Sequence, residues 1–229
     1  MPIHLQREIE RLKKQVLSLC AVVEESVRRA VQSVSARDSK RAEEVIRNDM
    51  EIDRAEIDVE EECLKILALH QPVAIDLRYI IAVLKLNNDL ERIGDLAVNI
   101  AQRALLLNAQ PPIEVPFDLP GLAEKTQGMF RQSLDALVNM DARRAREVCA
   151  MDDEVDAINR AMYEQVKQTI RTHPEDIEGL IALLSVSRYL ERIADHATNI
   201  AEDVLYMVDG RIARHGREFP LRVAAGDPS

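Results

Sequence analysis

Residues 90–101 read LERIGDLAVNIA, and residues 190–201, one hundred positions on, read LERIADHATNIA. A repeat maintained only for packing would preserve its apolar positions. This one also preserves Glu91/Glu191, Arg92/Arg192, Asp95/Asp195 and Asn99/Asn199. The apolar residues step by three and four, the spacing of one face of an α-helix. At about 100° per residue, Glu, Asp and Asn point away from the Leu90-Ile93-Ala97 face. The chain therefore repeats a helix together with the acidic side of that helix.

Working outward, the same organisation recurs along the chain. In the first half, Leu5, Ile9, Leu12, Val16, Leu19, Val23 and Val27 mark a long opening helix. Asp38, in SARDSK, suits the N-cap of a second helix, whose seam is Ala42, Val45, Ile52, Val59, Cys63 and Ile66. His70-Gln71-Pro72 ends it, because the residue before a proline avoids helical geometry. A third helix spans about Ile75 to Leu107. The stretch NAQPPIEVPFDLP then places four prolines between 111 and 120, which no helix crosses.

Beyond it the pattern repeats. Asp38, Ala42, Glu44 and Val45 correspond to Asp141, Ala145, Glu147 and Val148. A fifth helix stops before His173-Pro174, and a sixth ends near Gly210. The expected fold is all-α, two tandem three-helix bundles related by internal duplication. Its expected divisions are a first bundle over 1–109, a proline-rich linker over 110–120, a second bundle over 121–210 and a disordered tail over 211–229.

Composition narrows the function. Aromatics are 3% of the 229 residues, with no Trp, against 47% apolar residues, a profile that favours helices. A net charge of −10 argues against binding to nucleic-acid backbones. The three cysteines are far apart and lie in apolar helical patterns, so neither a zinc site nor a disulfide framework is expected. The start lacks a signal-peptide core, and no apolar run approaches the roughly 20 residues of a membrane span. A soluble, cytosolic protein is expected.

The residues able to carry chemistry are carboxylates. Glu91/Asp95 and Glu191/Asp195 are i, i+4 pairs, as are Asp49/Asp53 in DMEID and Asp152/Asp156 in DDEVD. One such pair on a solvated face would mean little, since like charges at this spacing cost about 0.2–0.5 kcal/mol. Four pairs, two on neighbouring helices of each half, would converge and repel unless something positive lay between them. Arg92 and Arg192 could serve, as could a hard cation such as Mg²⁺, Ca²⁺, Mn²⁺ or iron held by oxygen alone.

The stretch PVAIDLRYIIAVLKLNNDLERIGDLAVNIA, the doubled three-helix unit and the four [DE]xxxD elements together resemble the PhoU family of phosphate-uptake regulators, from about residue 5 to 210. The resemblance implies a homodimer that restrains the phosphate ABC transporter through its ATPase subunit. It further implies a membrane sensor histidine kinase as partner, and a cytoplasmic protein held peripherally at the inner membrane by those partners. It implies Fe, Mn, Mg or Zn ions at the [DE]xxxD elements. Carried residue by residue, the metal ligands would be Asp49, Asp53, Glu91, Asp95, Asp152, Asp156, Glu191 and Asp195, with Asn99 and Asn199 extending the rows.

The halves are not identical. Asn88 becomes Arg188, Leu96 becomes His196, and Asp76-Leu77-Arg78 becomes Asp176-Ile177-Glu178. His196 admits two sharper readings, a metal ligand or a phosphorylated histidine, the second without a counterpart at Leu96, and a surface or hydrogen-bonded histidine beside Asp195 is the better expectation. The rival function is a carboxylate-bridged metalloenzyme. Di-iron bundles need Glu-x-x-His on two helices, and no Glu stands three residues before any of the five histidines. GxxxxGK[ST], GxGxxG and GxSxG are absent as well. A non-enzymatic adaptor is therefore expected.

Overall fold

The computed structural model describes residues 3–210, so the expected tail over 211–229 lies outside the described residues. Six helices account for nearly all of the described chain: α1 Ile3–Ser35, α2 Ser39–His70, α3 Ala74–Asn108, α4 Leu119–Asn139, α5 Ala142–Thr172 and α6 Ile177–Asp209. A single 3₁₀ turn, Pro174–Asp176, leads into α6. Among the described residues there is no strand. No described helix is long and apolar enough to cross a membrane.

The turns repeat as closely as the helices do. Arg37 and its counterpart Met140 both adopt left-handed backbone, with φ of 51° each. Each is followed by an aspartate that caps the next helix. The Asp38 carboxylate accepts from the Arg41 N–H at 3.0 Å, and that of Asp141 accepts from the Arg143 and Arg144 N–H groups at 3.0 and 3.1 Å. These bonds hold the Asp141 carboxyl below its usual range, the Arg144 amide contributing most. Gln71, also left-handed at φ 45°, ends α2 one residue before Pro72.

Helix α4 begins inside the stretch read as linker. Asp118 caps it by accepting from the Gly121 N–H at 2.9 Å, and Pro120 sits in its first turn. A proline is tolerated there because the first helical N–H groups have no intrahelical partner in any case. The rest of the connection lies against the bundles. The Arg37 guanidinium donates to the carbonyls of Leu107, at 2.7 Å, and Gln110, while the Phe117 ring is buried.

Helices α1, α2 and α3 pack on one another, as do α4, α5 and α6, and α3 packs along α6. Both central helices therefore bury two faces. On α3, Ile80, Val83, Leu90 and Ile93 are accompanied by Leu96, Ala97, Ala101 and Ala104, all closed to solvent. On α6, Ala194, Ala197 and Ala201 are buried likewise. Small side chains let two helix axes approach closely, and one hydrophobic core runs without interruption through both halves. Cys20 and Cys63 are buried and Cys149 is half-buried; burial pushes the first two thiols up to about 12 and the third to about 11. They are inert packing residues.

Candidate metal centres

The carboxylate pairs sit where α2 meets α3 and where α5 meets α6. In the first half that approach is set by Gly94: a Cβ there would lie 3.1 Å from Ile52 Cδ1. In the second half the corresponding residues are Ala194 and Val155, both buried. One methyl group has moved from one helix to the other, so each seam keeps about the same filling. Asp53 and Asp95 directly follow Ile52 and Gly94 in sequence, as Asp156 and Asp195 follow Val155 and Ala194. The packing of these small residues thus fixes how near the acids come.

In the second half three acids converge. Asp156, Glu191 and Asp195 each place one carboxylate oxygen within 4.8 Å of the others. Burial, then the negative charges of Glu191, Asp152 and Asp156, push the Asp195 carboxyl up from 3.8 to about 6, with His196 opposing. Glu191 is raised by burial and by Asp156, against Arg188 and Arg192. Asp152 is raised mainly by burial, although the Thr198 hydroxyl, donating to its Oδ1 at 3.2 Å, works the other way. Of these acids Asp156 has a cation close by, Arg160 at 3.3 Å.

In the first half Asp49 is raised by burial and then by Asp53, Asp95 and Glu91, so the α2 pair and the α3 pair do face each other. Arg92 lies 3.4 Å from Glu91 and 3.6 Å from Asp95 and engages both along α3. Among the described residues, no first-half trio of carboxylates is as tight as Asp156, Glu191 and Asp195.

All of these donors are oxygens. Crowded carboxylates with no nitrogen or sulfur donor among them fit a hard divalent cation such as Mg²⁺ or Mn²⁺, or iron, better than Zn²⁺, which favours nitrogen and sulfur. A second trio, His173, Glu175 and Asp176, brings its ligand atoms equally near on the turn before α6, with His173 and Glu175 exposed.

The two asparagines differ from each other. Asn99 is half-buried, whereas the Asn199 amide donates across the molecule to Asp89 Oδ1 at 3.2 Å. The same oxygen accepts from His196 Nδ1 at 2.8 Å. Asp89 is only 8% exposed. His196 is thus the hydrogen-bonded histidine expected, but its partner is an acid of α3 and not the adjacent Asp195. Sequence reading passed over Asp89, and also Glu56 and Asn87, because each lies on a flank whose neighbour is set by tertiary packing.

The wider comparisons agree with this architecture. The family model described as the PhoU domain matches twice, over residues 16–104 and 119–204. A protein of Aquifex aeolicus named phosphate-specific transport system accessory protein PhoU homolog is 36% identical over 211 residues, covering 92% of this chain and 96% of its own length. A Thermotoga maritima protein named as homolog 1 of the same kind is 32% identical over 225 residues, with 98% and 96% covered. The crystal structure of PhoU from Pseudomonas aeruginosa superposes with a TM-score of 0.87 at 35% identity, over 90% of this chain and 99% of that one. That of the phosphate transport system regulatory protein PhoU from Streptococcus pneumoniae gives 0.84 at 27% identity, over 92% and 100%. Two PhoU domains, matched in tandem and folded as in those crystal structures, make this chain a member of the PhoU family.

Proposed function

We propose that the chain is a non-enzymatic adaptor of a phosphate-specific transport system, restraining the transporter when phosphate is plentiful. Relatives named as accessory proteins of that system, matched over nearly their whole length, support this reading. The adaptor docks on the transporter's ATPase subunit and supports repression by a membrane sensor histidine kinase, working as a cytoplasmic homodimer held at the inner membrane through these partners. The observation that carries the metal half of the proposal is the convergence of Asp156, Glu191 and Asp195. These residues, with Asp152, and in the first half Asp49, Asp53, Glu91 and Asp95, would hold Mg²⁺, Mn²⁺ or iron. The bound cation supplies positive charge that lets facing carboxylates stay ionised while their helices remain packed. The protein's own part is to hold those helices at fixed spacing through the Ile52/Gly94 and Val155/Ala194 contacts.

Two measurements test this. Metal content is determined by mass spectrometry after reconstitution, for the wild type and for Glu91→Ala/Asp95→Ala and Glu191→Ala/Asp195→Ala. No metal in the wild type would remove the metal function and leave the adaptor. Separately, the tagged chain is recovered from its native cell at high phosphate; loss of both the transporter ATPase and the kinase from the eluate would remove the adaptor. A carboxylate-bridged metalloenzyme is the alternative, favoured by the same trio, and turnover that depends on Asp195 would establish it.

A further inference from the structure

The turn between α1 and α2 borders a cavity of about 330 Å³ that both halves build. It is lined by Val34 of α1, by Leu183, Val186 and Leu190 of α6, and by Ile113 and Phe117 of the connection. Ser35 and Arg37 are the polar members of an otherwise apolar lining, and the Ser35 hydroxyl is spent on the Val31 and Gln32 carbonyls. Sites for small molecules share this size and this make-up.

The repeat supplies an internal comparison. A counterpart cavity has Val83, Leu137 and Met140 where the first has Leu183, Val34 and Arg37, and it measures about 130 Å³. Tyr79 lines that smaller space, its half-buried ring lying 5.8 Å beneath the Lys13 ammonium. Gly179 stands at the position of Tyr79 in the other copy. A Cβ there would come 2.7 Å from Ile113 Cδ1, so the glycine admits the connection against α6. One copy carries a phenol ring and a methionine; the other has lost the ring and gained a guanidinium.

That guanidinium is exposed, and both of its hydrogen bonds leave from Nη2, to the carbonyls of Leu107 and Gln110. Among the described residues no carboxylate pairs with Arg37, so its Nε–H and Nη1–H donors are unused. The Gln110 amide in turn donates to Glu178 at 3.2 Å, which sets Arg37 near the start of α6. From there Leu183, Val186 and Leu190 run along the helix for about 10 Å.

We propose that this cavity binds a single-chain amphiphile with a carboxylate head, of the medium-chain fatty-acid class. The head pairs with Arg37 through Nε and Nη1, the fork that a carboxylate matches with two parallel bonds. The alkyl chain lies along α6, in contact with α1 and the connection. No residue of the acid rows takes part, so the site stands apart from the metal and adaptor readings.

Decanoate and decanol, one chain with and without the charge, are titrated into the full-length protein by calorimetry. The wild type should prefer decanoate by about tenfold. Octanoate, two methylenes shorter, should bind about tenfold more weakly than decanoate. Arg37→Met copies Met140, which tolerates the same left-handed backbone, and should remove the preference while leaving decanol within about twofold. Arg37→Lys should restore part of it. Val34→Phe fills the cavity and should weaken both ligands by about tenfold or more. Should circular dichroism show that variant unfolded, Leu183→Phe takes its place. A wild type that binds no decanoate overturns the proposal, as does binding that the filling variant leaves unchanged, or a preference that survives Arg37→Met.

Discussion

His196 and Asp89 join the two halves by a 2.8 Å hydrogen bond between buried or nearly buried groups, at a point where the repeat itself supplies Leu96 and Tyr189 instead. The duplication has been broken at its central interface by a polar pair. Asn199 adds a second donor to the same Asp89 oxygen.

Removing one member of that pair should cost more than removing both. His196→Leu leaves Asp89 buried with a single donor, and the expected loss is about 1–3 kcal/mol. Asp89→Leu/His196→Leu should return to within about 1 kcal/mol of the wild type, since two apolar groups then face each other. Urea unfolding of the three proteins checks this, and equal losses in the single and double variants would contradict it.

A second cycle probes the seam beneath the acids. Gly94→Ala drives a methyl group against Ile52 and should destabilise by about 1–3 kcal/mol. Ile52→Val alone should cost about 0.5–1.5 kcal/mol. The double variant copies the Val155/Ala194 arrangement and should recover most of the Gly94→Ala loss, read from urea midpoints at constant slope.

The raised carboxyl of Asp195 predicts a pH dependence in chelator. Its folded value, about 6, lies above the ordinary 3.8, so the folded state binds the proton more tightly than the unfolded chain does. This contribution is fully present below pH 3.8 and is lost as pH rises through about 6. Asp195→Asn should flatten that part of the stability profile and raise the melting temperature at pH 7.5. Thermal melts at pH 4.5, 6 and 7.5 are the measurement.

Cation binding should reverse the effect at neutral pH. With Mn²⁺ at one hundred times its dissociation constant, the folded state gains about 2.7 kcal/mol per site, and EDTA should abolish the gain. Glu191→Ala/Asp195→Ala should lose the second-half share of that response. A melting temperature indifferent to Mn²⁺ in the wild type would contradict this expectation.

Much of this could be read from residues alone. Apolar spacing placed the helices, while aspartate caps and prolines placed their ends, because those signals are local. Pro120 misled only at the edge, where a helix start tolerates what its interior does not. The acid pairs were legible because positions four apart share a helix face. The third members of the rows were not. Each step of four turns the row by about 40°. By Asn199 the row has come round toward α3, and by Asn87, running the other way, it has entered the seam. The partner of Asp89 lies 107 positions away, a distance that only the α3–α6 packing closes.

That packing also settles what the proline-rich connection does not do. Because the apolar core passes straight through the α3–α6 contact, a protease cutting between Gln110 and Phe117 would sever the chain without separating its halves. Each fragment, taken alone, would expose one full face of its central helix to water. The non-covalent join, chiefly between the two central helices with α1 against α4 beside it, is what makes the duplicate a single body.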